Sequence, residues 1–246
     1  MSGWRFIVEG KCPSLSNMER DLSLFNTVRT GNAPGIFRLY DWDEPAVTIG
    51  HHQKRFSLFD KGLKLPIISR PTGGGAVLHE NDITYSLCVP ETGPFSRGIN
   101  ESYIRVSKMF FSALKECGVD IRMEGEHSRF SRVCFARSAP VELVFQGRKI
   151  MGLALLRSEG HLLFQGVLPL HVDTRLAEMA FGPEQAENSR GILDMMPGFQ
   201  MDLFIEYLVD AFASEMKVFL SLERNANDAR SHYGYEGKIH PRRQQI

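Results

Sequence analysis

The chain has 246 residues, 43% of them hydrophobic and 24% charged, with a formal net charge of zero. This length suits one large domain or two small ones, and the composition is that of an ordinary soluble globular protein. Balanced charge argues against broad nucleic-acid binding, and no apolar run approaches the ~20 residues of a membrane helix.

Residues 4–8 read as a first strand. Ser14 or Ser16 is placed to cap a helix in which Met18, Leu22 and Phe25 form an apolar stripe ending near Gly31. Residues 36–40 and 46–49 read as strands joined by a turn through Asp41, Asp43 and Pro45. The apolar run 65–68 reads as a buried strand, and 83–87 alternates like another. Residues 100–117 form an amphipathic helix, with Tyr103, Val106, Phe110, Leu114 and Cys117 on one face and Gly118 as its stop. Residues 141–145 and 149–156 read as a hairpin around Gln146-Gly147-Arg148, and 162–168 extends the sheet. The polar stretch 182–191 reads as a surface loop. Residues 201–219 form a last helix with Phe204, Leu208, Phe212, Met216 and Phe219 inward, and 225–246 is a polar tail. Strands following strands, with helices irregularly placed, predict an α+β fold with a mixed, mainly antiparallel sheet flanked by helices.

The densest local signal is Arg70-Pro71-Thr72-Gly73-Gly74-Gly75-Ala76-Val77-Leu78-His79, set between two predicted strands. Three consecutive glycines are costly in backbone entropy. They suit a chain that passes close to a ligand with its N–H groups turned outward, Arg70 adding a fixed positive charge. Such a nest would take a carboxylate, a phosphate or an acyl carbonyl; a glycine-rich turn is the plain alternative. No Gly-Lys-Ser/Thr follows and the next element is a strand, which excludes a P-loop and a dinucleotide fingerprint.

The four cysteines, Cys12, Cys88, Cys117 and Cys134, have no CxxC spacing. His51-His52 is the one adjacent histidine pair, and strand neighbours point to opposite faces. No metal site is expected. The first residues lack the charged-then-apolar pattern of a secretion signal, so free thiols and a cytoplasmic location are the expectation.

The glycine segment resembles the signature of the lipoate–protein ligase and octanoyltransferase families, in which a basic residue, a small residue, the glycines and a downstream His line an acyl channel. The matching residues are Arg70, Thr72, Gly73, Gly74, Gly75 and His79. Members usually carry two adjacent arginines, whereas this chain has Ser69-Arg70. Asn17-Met18-Glu19-Arg20-Asp21 resembles the family's first helix, and Val47-Thr48-Ile49-Gly50-His51-His52-Gln53 its strand and Gly-x-x-Gln turn. The resemblance runs from about residue 17 to about residue 173. It implies the catalytic domain shared by biotin and lipoate protein ligases over 1–224, with 225–246 as a tail.

The resemblance also implies chemistry. Lys149, in Lys149-Ile150-Met151-Gly152-Leu153-Ala154, matches a Lys-x-x-Gly-x-Ala context in which the lysine contacts the acyl carbonyl. Taken bare, it reads as a solvated hairpin lysine. Cys134, in Val133-Cys134-Phe135, matches the nucleophile of cysteine-dependent octanoyltransferases; as a residue type it reads as a buried structural thiol. Gly152, Leu153 and Ala154, with Val77 and Leu155, are expected to line the acyl tunnel. His79 is expected to orient Cys134 or the incoming amine, or to be structural. Asp82 and Thr84 read as turn capping. Where members carry a His-Gly pair, this chain has Gln165-Gly166. Arg129, Arg132 and Arg137 suit contact with an acidic carrier protein or, equally, a solvated loop.

The implied activity is transfer of an octanoyl group from acyl carrier protein to a lysine of a lipoyl domain or of the glycine cleavage H protein, through a thioester on Cys134. No cofactor is then needed, and a monomer is expected. An ATP- and magnesium-dependent lipoate–protein ligase is the alternative, favoured by Gly75 where the transferases often have Arg. A non-catalytic carrier-protein binder is the third reading.

Overall fold

The computed structural model describes residues 3–53, 56–125, 141–218 and 220–224. Among them, six strands build the main sheet, in the order β10-β11-β6-β2-β1-β12. These are β1 (Trp4–Cys12), β2 (Ile36–Trp42), β6 (Asn81–Pro90), β10 (Gly152–Ser158), β11 (His161–His171) and β12 (Leu220–Arg224). The β10, β11, β6 and β2 run is antiparallel, and β1 is parallel to both β2 and β12. A second sheet holds β3 (Ala46–Ile49) between β4 (Ile67–Ser69) and β5 (Val77–His79). A third joins β7 (Ile121–Gly125), β8 (Val141–Phe145) and β9 (Arg148–Lys149). The α+β class with a mixed sheet is as the sequence predicts.

Alternation along the strands sorts the main sheet into two faces. One carries Phe6, Phe37, Tyr85, Leu87 and Phe164, packed under α2 (Ile99–Glu116) and α6 (Met201–Met216). Phe37 stacks on Tyr85 at 5.7 Å, and Tyr85 meets Phe110 of α2 at 4.4 Å. Gly166 is required beside that ring, since a Cβ there would lie 2.3 Å from the Tyr85 ring. The other face is covered by α1 (Ser14–Arg29), and its two cross-strand rows form the floor of the site. The first row runs Ala154, Gln165, Ser86, Arg38; the second runs Gly152, Val167, Thr84, Tyr40.

Several predicted elements need correction. The α1 stripe is not Met18, Leu22 and Phe25: Leu22 is exposed, and the buried face holds Asn17, Met18, Asp21, Leu24, Phe25 and Val28. Pro13, not a serine, precedes the first turn, and no side chain caps it. Ile67 is exposed rather than buried. The predicted hairpin strand 149–156 is two strands: β9 pairs with β8, and after Ile150 and Met151 the chain enters the main sheet as β10. The stretch 182–191 contains α4 (Pro183–Asn188), preceded by α3 (Thr174–Phe181) and followed by α5 (Ile192–Met195). The last helix stops at Met216 because Lys217 turns left-handed at φ 53°, and β12 follows at once.

Candidate active site

Asp21 of α1, fully buried, organises the covered face of the main sheet. Its carboxylate accepts hydrogen bonds from Arg38 (2.8 Å), Tyr40 Oη (2.8 Å), Ser86 Oγ (2.7 Å) and Gln165 Nε2 (2.7 Å). Arg38, itself buried, also donates to Glu9 at 2.7 Å and lies 3.9 Å over the Tyr40 ring. Burial together with the Asp21 charge raises the Tyr40 phenol well above its usual range. Charges placed this deep persist only when every lone pair and proton is matched, and four donors on Asp21 meet that condition.

The small sheet lies across this floor. Its register puts Thr48 opposite Val77 and Ala46 opposite His79, so these side chains share one face. Between the sheets lies a slot of about 330 Å³, walled by Met18, Tyr40, Trp42, Thr48, Val77, Gln165 and Val167 among others. Val77 and Val167 touch across it.

Arg70, Gly152, Leu153 and Ala154 also line the slot. Leu153, however, is in register with Gly166 on the opposite pleat and packs against the main core, as does Leu155, which is not on the slot wall. Of the two leucines, Leu153 alone is on the slot wall, where Met18, Val77 and Val167 add to the apolar lining. Arg70 departs from expectation in another way. Its guanidinium donates to the carbonyls of Gly73 (2.6 Å) and Gly75 (2.7 Å) and to Thr48 O and Oγ1 (each 3.3 Å). The cation is engaged by its own loop. Because a trans peptide places N–H opposite C=O, the N–H groups of Gly74 and Ala76 point away from Arg70.

Two close approaches require glycine at positions 74 and 50. Gly74 has φ 93°, and a Cβ there would lie 2.7 Å from the Arg70 guanidinium. A Cβ on Gly50 would lie 2.3 Å from Gly74 O. Thr72 fixes the loop to the floor by donating to Gln165 Oε1 at 2.9 Å.

His79 is buried and stacked on Trp42 at 4.1 Å between centroids. Its Nδ1 faces Asp82 Oδ2 at 3.0 Å and its Nε2 faces Thr48 Oγ1 at 2.9 Å. The carboxylate assigns the proton to Nδ1. Thr84 donates to Asp82 at 2.6 Å and accepts from Trp42 Nε1 at 2.8 Å. Asp82 and Thr84 are thus buried strand residues that orient His79, not turn caps.

Lys149 lies outside the slot, in an adjoining cavity that shares Val77 with it. Its Nζ donates to Glu142 Oε1 at 2.9 Å, both side chains being largely buried. Cys134 lies outside the described residues, as do Arg129, Arg132 and Arg137; the flanking strands β7 and β8 pair Gly125 with Val141. Burial raises the Cys88 thiol well above its usual range, and burial plus the Glu116 charge puts Cys117 at about 11. Among the described residues, no group of three His, Cys, Asp or Glu side chains is close enough to hold a metal ion, and no helix is long and apolar enough to cross a membrane.

The sequence reading missed Met18, Tyr40, Trp42, Thr48, Gln165 and Val167 as slot residues. Gln165 carried a signal: it stands where the resembling families place a histidine.

Residues 13–213 match the family model of the lipoyl protein ligase A/B catalytic domain. The chain belongs to that family. Relatives within it include Octanoyltransferase LipM of Geobacillus kaustophilus, 35% identical over 187 residues, or 70% of this chain and 67% of that protein. Octanoyltransferase LipM of Lysinibacillus sphaericus is 32% identical over 206 residues, 76% of this chain and 74% of that protein. The chain spans about two thirds of the length of most such relatives. Lipoate-protein ligase A bound with ATP superposes with a TM-score of 0.71 at 20% identity, over 92% of this chain and 90% of that one. The bi-partite lipoate protein ligase of Thermoplasma acidophilum superposes at 0.64 and 18% identity, over 92% and 88%. At these identities the solved structures attest the family's fold alone.

Proposed function

We propose that this chain is an octanoyltransferase. It moves an octanoyl group from acyl carrier protein to a lysine of a lipoyl domain or of the glycine cleavage H protein, by way of a thioester on Cys134. The observation that carries the reading is the apolar slot between the two sheets, sharing Val77 with the cavity that holds Lys149, in a chain whose relatives are named octanoyltransferases.

The slot would hold the acyl chain, each buried methylene contributing ~0.8 kcal/mol. The Cys134 thiolate would attack the donor thioester carbonyl; the new C–S bond forms as the old one breaks, and the carrier's sulfur leaves as a thiolate that takes a proton from solvent. The Lys149 ammonium would stabilise the tetrahedral oxyanion in this step and in the second, when the acceptor amine displaces Cys134. Cys88 and Cys117, held as thiols, are poorly suited to the nucleophile's role.

Incubation with octanoyl–acyl carrier protein, without ATP, is expected to add one octanoyl mass to the chain, and to add none to Cys134→Ala. Full transfer by Cys134→Ala would reject the thioester route. Pyrophosphate release that depends on ATP and free lipoate would replace transfer by ligation.

A further inference from the structure

Beside the slot lies a second cavity, open to solvent, that spans about 560 Å³ with the open space at its mouth included. Its wall includes Val77, Glu80, Asp82, Lys149, His171 and Arg190. Val77 borders both spaces, and Asp82 on the wall of the second is hydrogen-bonded to His79 on the wall of the slot. The second cavity therefore adjoins the Val77 end of the slot.

Two of the neighbouring carboxylates are committed. Asp82 serves His79 and Thr84. Asp194 accepts from His171 and from the N–H groups of Gly191 and Val172. Glu80 differs. One oxygen accepts the Asp173 N–H at 2.8 Å, and among the described residues no other group bonds to its carboxylate. Burial, reinforced by the charges of Asp173, Asp82 and Asp194 and opposed by the Asp173 N–H, raises Glu80 to about 7. A carboxylate with that affinity is matched to taking up a proton near neutrality.

We propose that the second cavity admits the acceptor lysine and that Glu80 is the base that deprotonates its ammonium. This assignment rests on the acyl-transfer reading above. Glu80 removes one proton from the ammonium. The freed amine attacks the thioester carbonyl, forming the C–N bond. The C–S bond breaks, and its electron pair leaves on sulfur. A second nitrogen proton passes to that thiolate, the third stays on the amide, and Glu80 returns its proton to solvent.

The test separates the two half-reactions on the full chain. Acyl-enzyme formation from octanoyl–acyl carrier protein is followed by intact mass, then single-turnover transfer to a lipoyl domain is timed against pH. Glu80→Gln is expected to form the acyl-enzyme within about twofold of wild type yet to transfer about a hundredfold more slowly at neutral pH, in kcat rather than KM. The rise in wild-type transfer through about pH 7 is expected to vanish in Glu80→Gln and to persist in Glu80→Asp. His171 lies on the same cavity wall, so the rise must also persist in His171→Gln. Wild-type transfer rates in Glu80→Gln, or equal slowing of both half-reactions, overturns the assignment. A wild-type chain that acquires no octanoyl group overturns the transfer reading itself, and is distinguished by failure at the first step.

Discussion

Thr72 Oγ1 lies 2.9 Å from Gln165 Oε1, and the other end of the same amide donates to Asp21 at 2.7 Å. One side chain thus joins the glycine loop, the central sheet and the first helix. Gln165→Leu leaves the Thr72 hydroxyl and one Asp21 lone pair unmatched in a buried place, and is expected to cost about 1–3 kcal/mol. Gln165→Glu is expected to cost more, because it sets a second carboxylate against Asp21. Urea unfolding of the two variants checks the order; a Glu variant as stable as the Leu variant contradicts it.

The glycines are not equivalent. Gly73 has open space where a Cβ would go, Gly74 combines φ 93° with the Arg70 guanidinium, and Gly50 faces the backbone of Gly73 and Gly74. Gly73→Ala is expected to fold with a change within about 1 kcal/mol. Gly74→Ala and Gly50→Ala are each expected to lose about 1–3 kcal/mol and to disturb the slot. Arg70→Lys belongs with the damaging pair, since an ammonium cannot bridge Gly73 O, Gly75 O and Thr48 with fixed geometry. Thermal melts of the four variants read the ranking directly.

These contrasts show which parts of the site are legible in sequence. Arg70, Thr72 and the glycines are contiguous, so one local pattern announces them. Tyr40, Thr84, Val167 and Gly152 form a row only through the register of four strands, and no local pattern encodes that. The buried face of α1 is hidden in the sequence for a physical reason. Its buried face carries Asn17 and Asp21, each satisfied by distant partners, so hydrophobicity pointed to Leu22 instead. The break between Lys149 and Gly152 is hidden because Ile150 and Met151, which cross it, are as apolar as the strand that follows; β9 and β10 differ in which strand they pair with.

Lys149 and Glu142 form a largely buried pair at 2.9 Å. Removing the lysine alone therefore mixes a folding cost with any catalytic one. Lys149→Met is expected to lose stability and to slow acyl-enzyme formation by about 10²–10³-fold. Combining it with Glu142→Gln is expected to restore much of the stability and none of the rate. Recovery of both together would mean that Lys149 acts only as a structural cation.

Glu80 also links stability to pH. Its folded value of about 7 lies above the ordinary 4.5. Below 4.5 the group is protonated in both states and carries no penalty. As pH rises, the unfolded chain releases the proton first, so the folded state is disfavoured progressively until about pH 7, and the loss is constant above that. Taken at full strength the shift is worth about 3 kcal/mol; the side chain is only partly buried, and solvent screening reduces the expectation to about 1–2 kcal/mol. Glu80→Gln keeps an acceptor for the Asp173 N–H and removes the charge. It is expected to match wild type in acid and to exceed it in stability at about pH 8. Denaturant midpoints at several pH values measure the difference. A Gln variant that is equally stable or less stable than wild type at the alkaline end, with no trend across the range, contradicts a Glu80 carboxylate disfavoured by its surroundings.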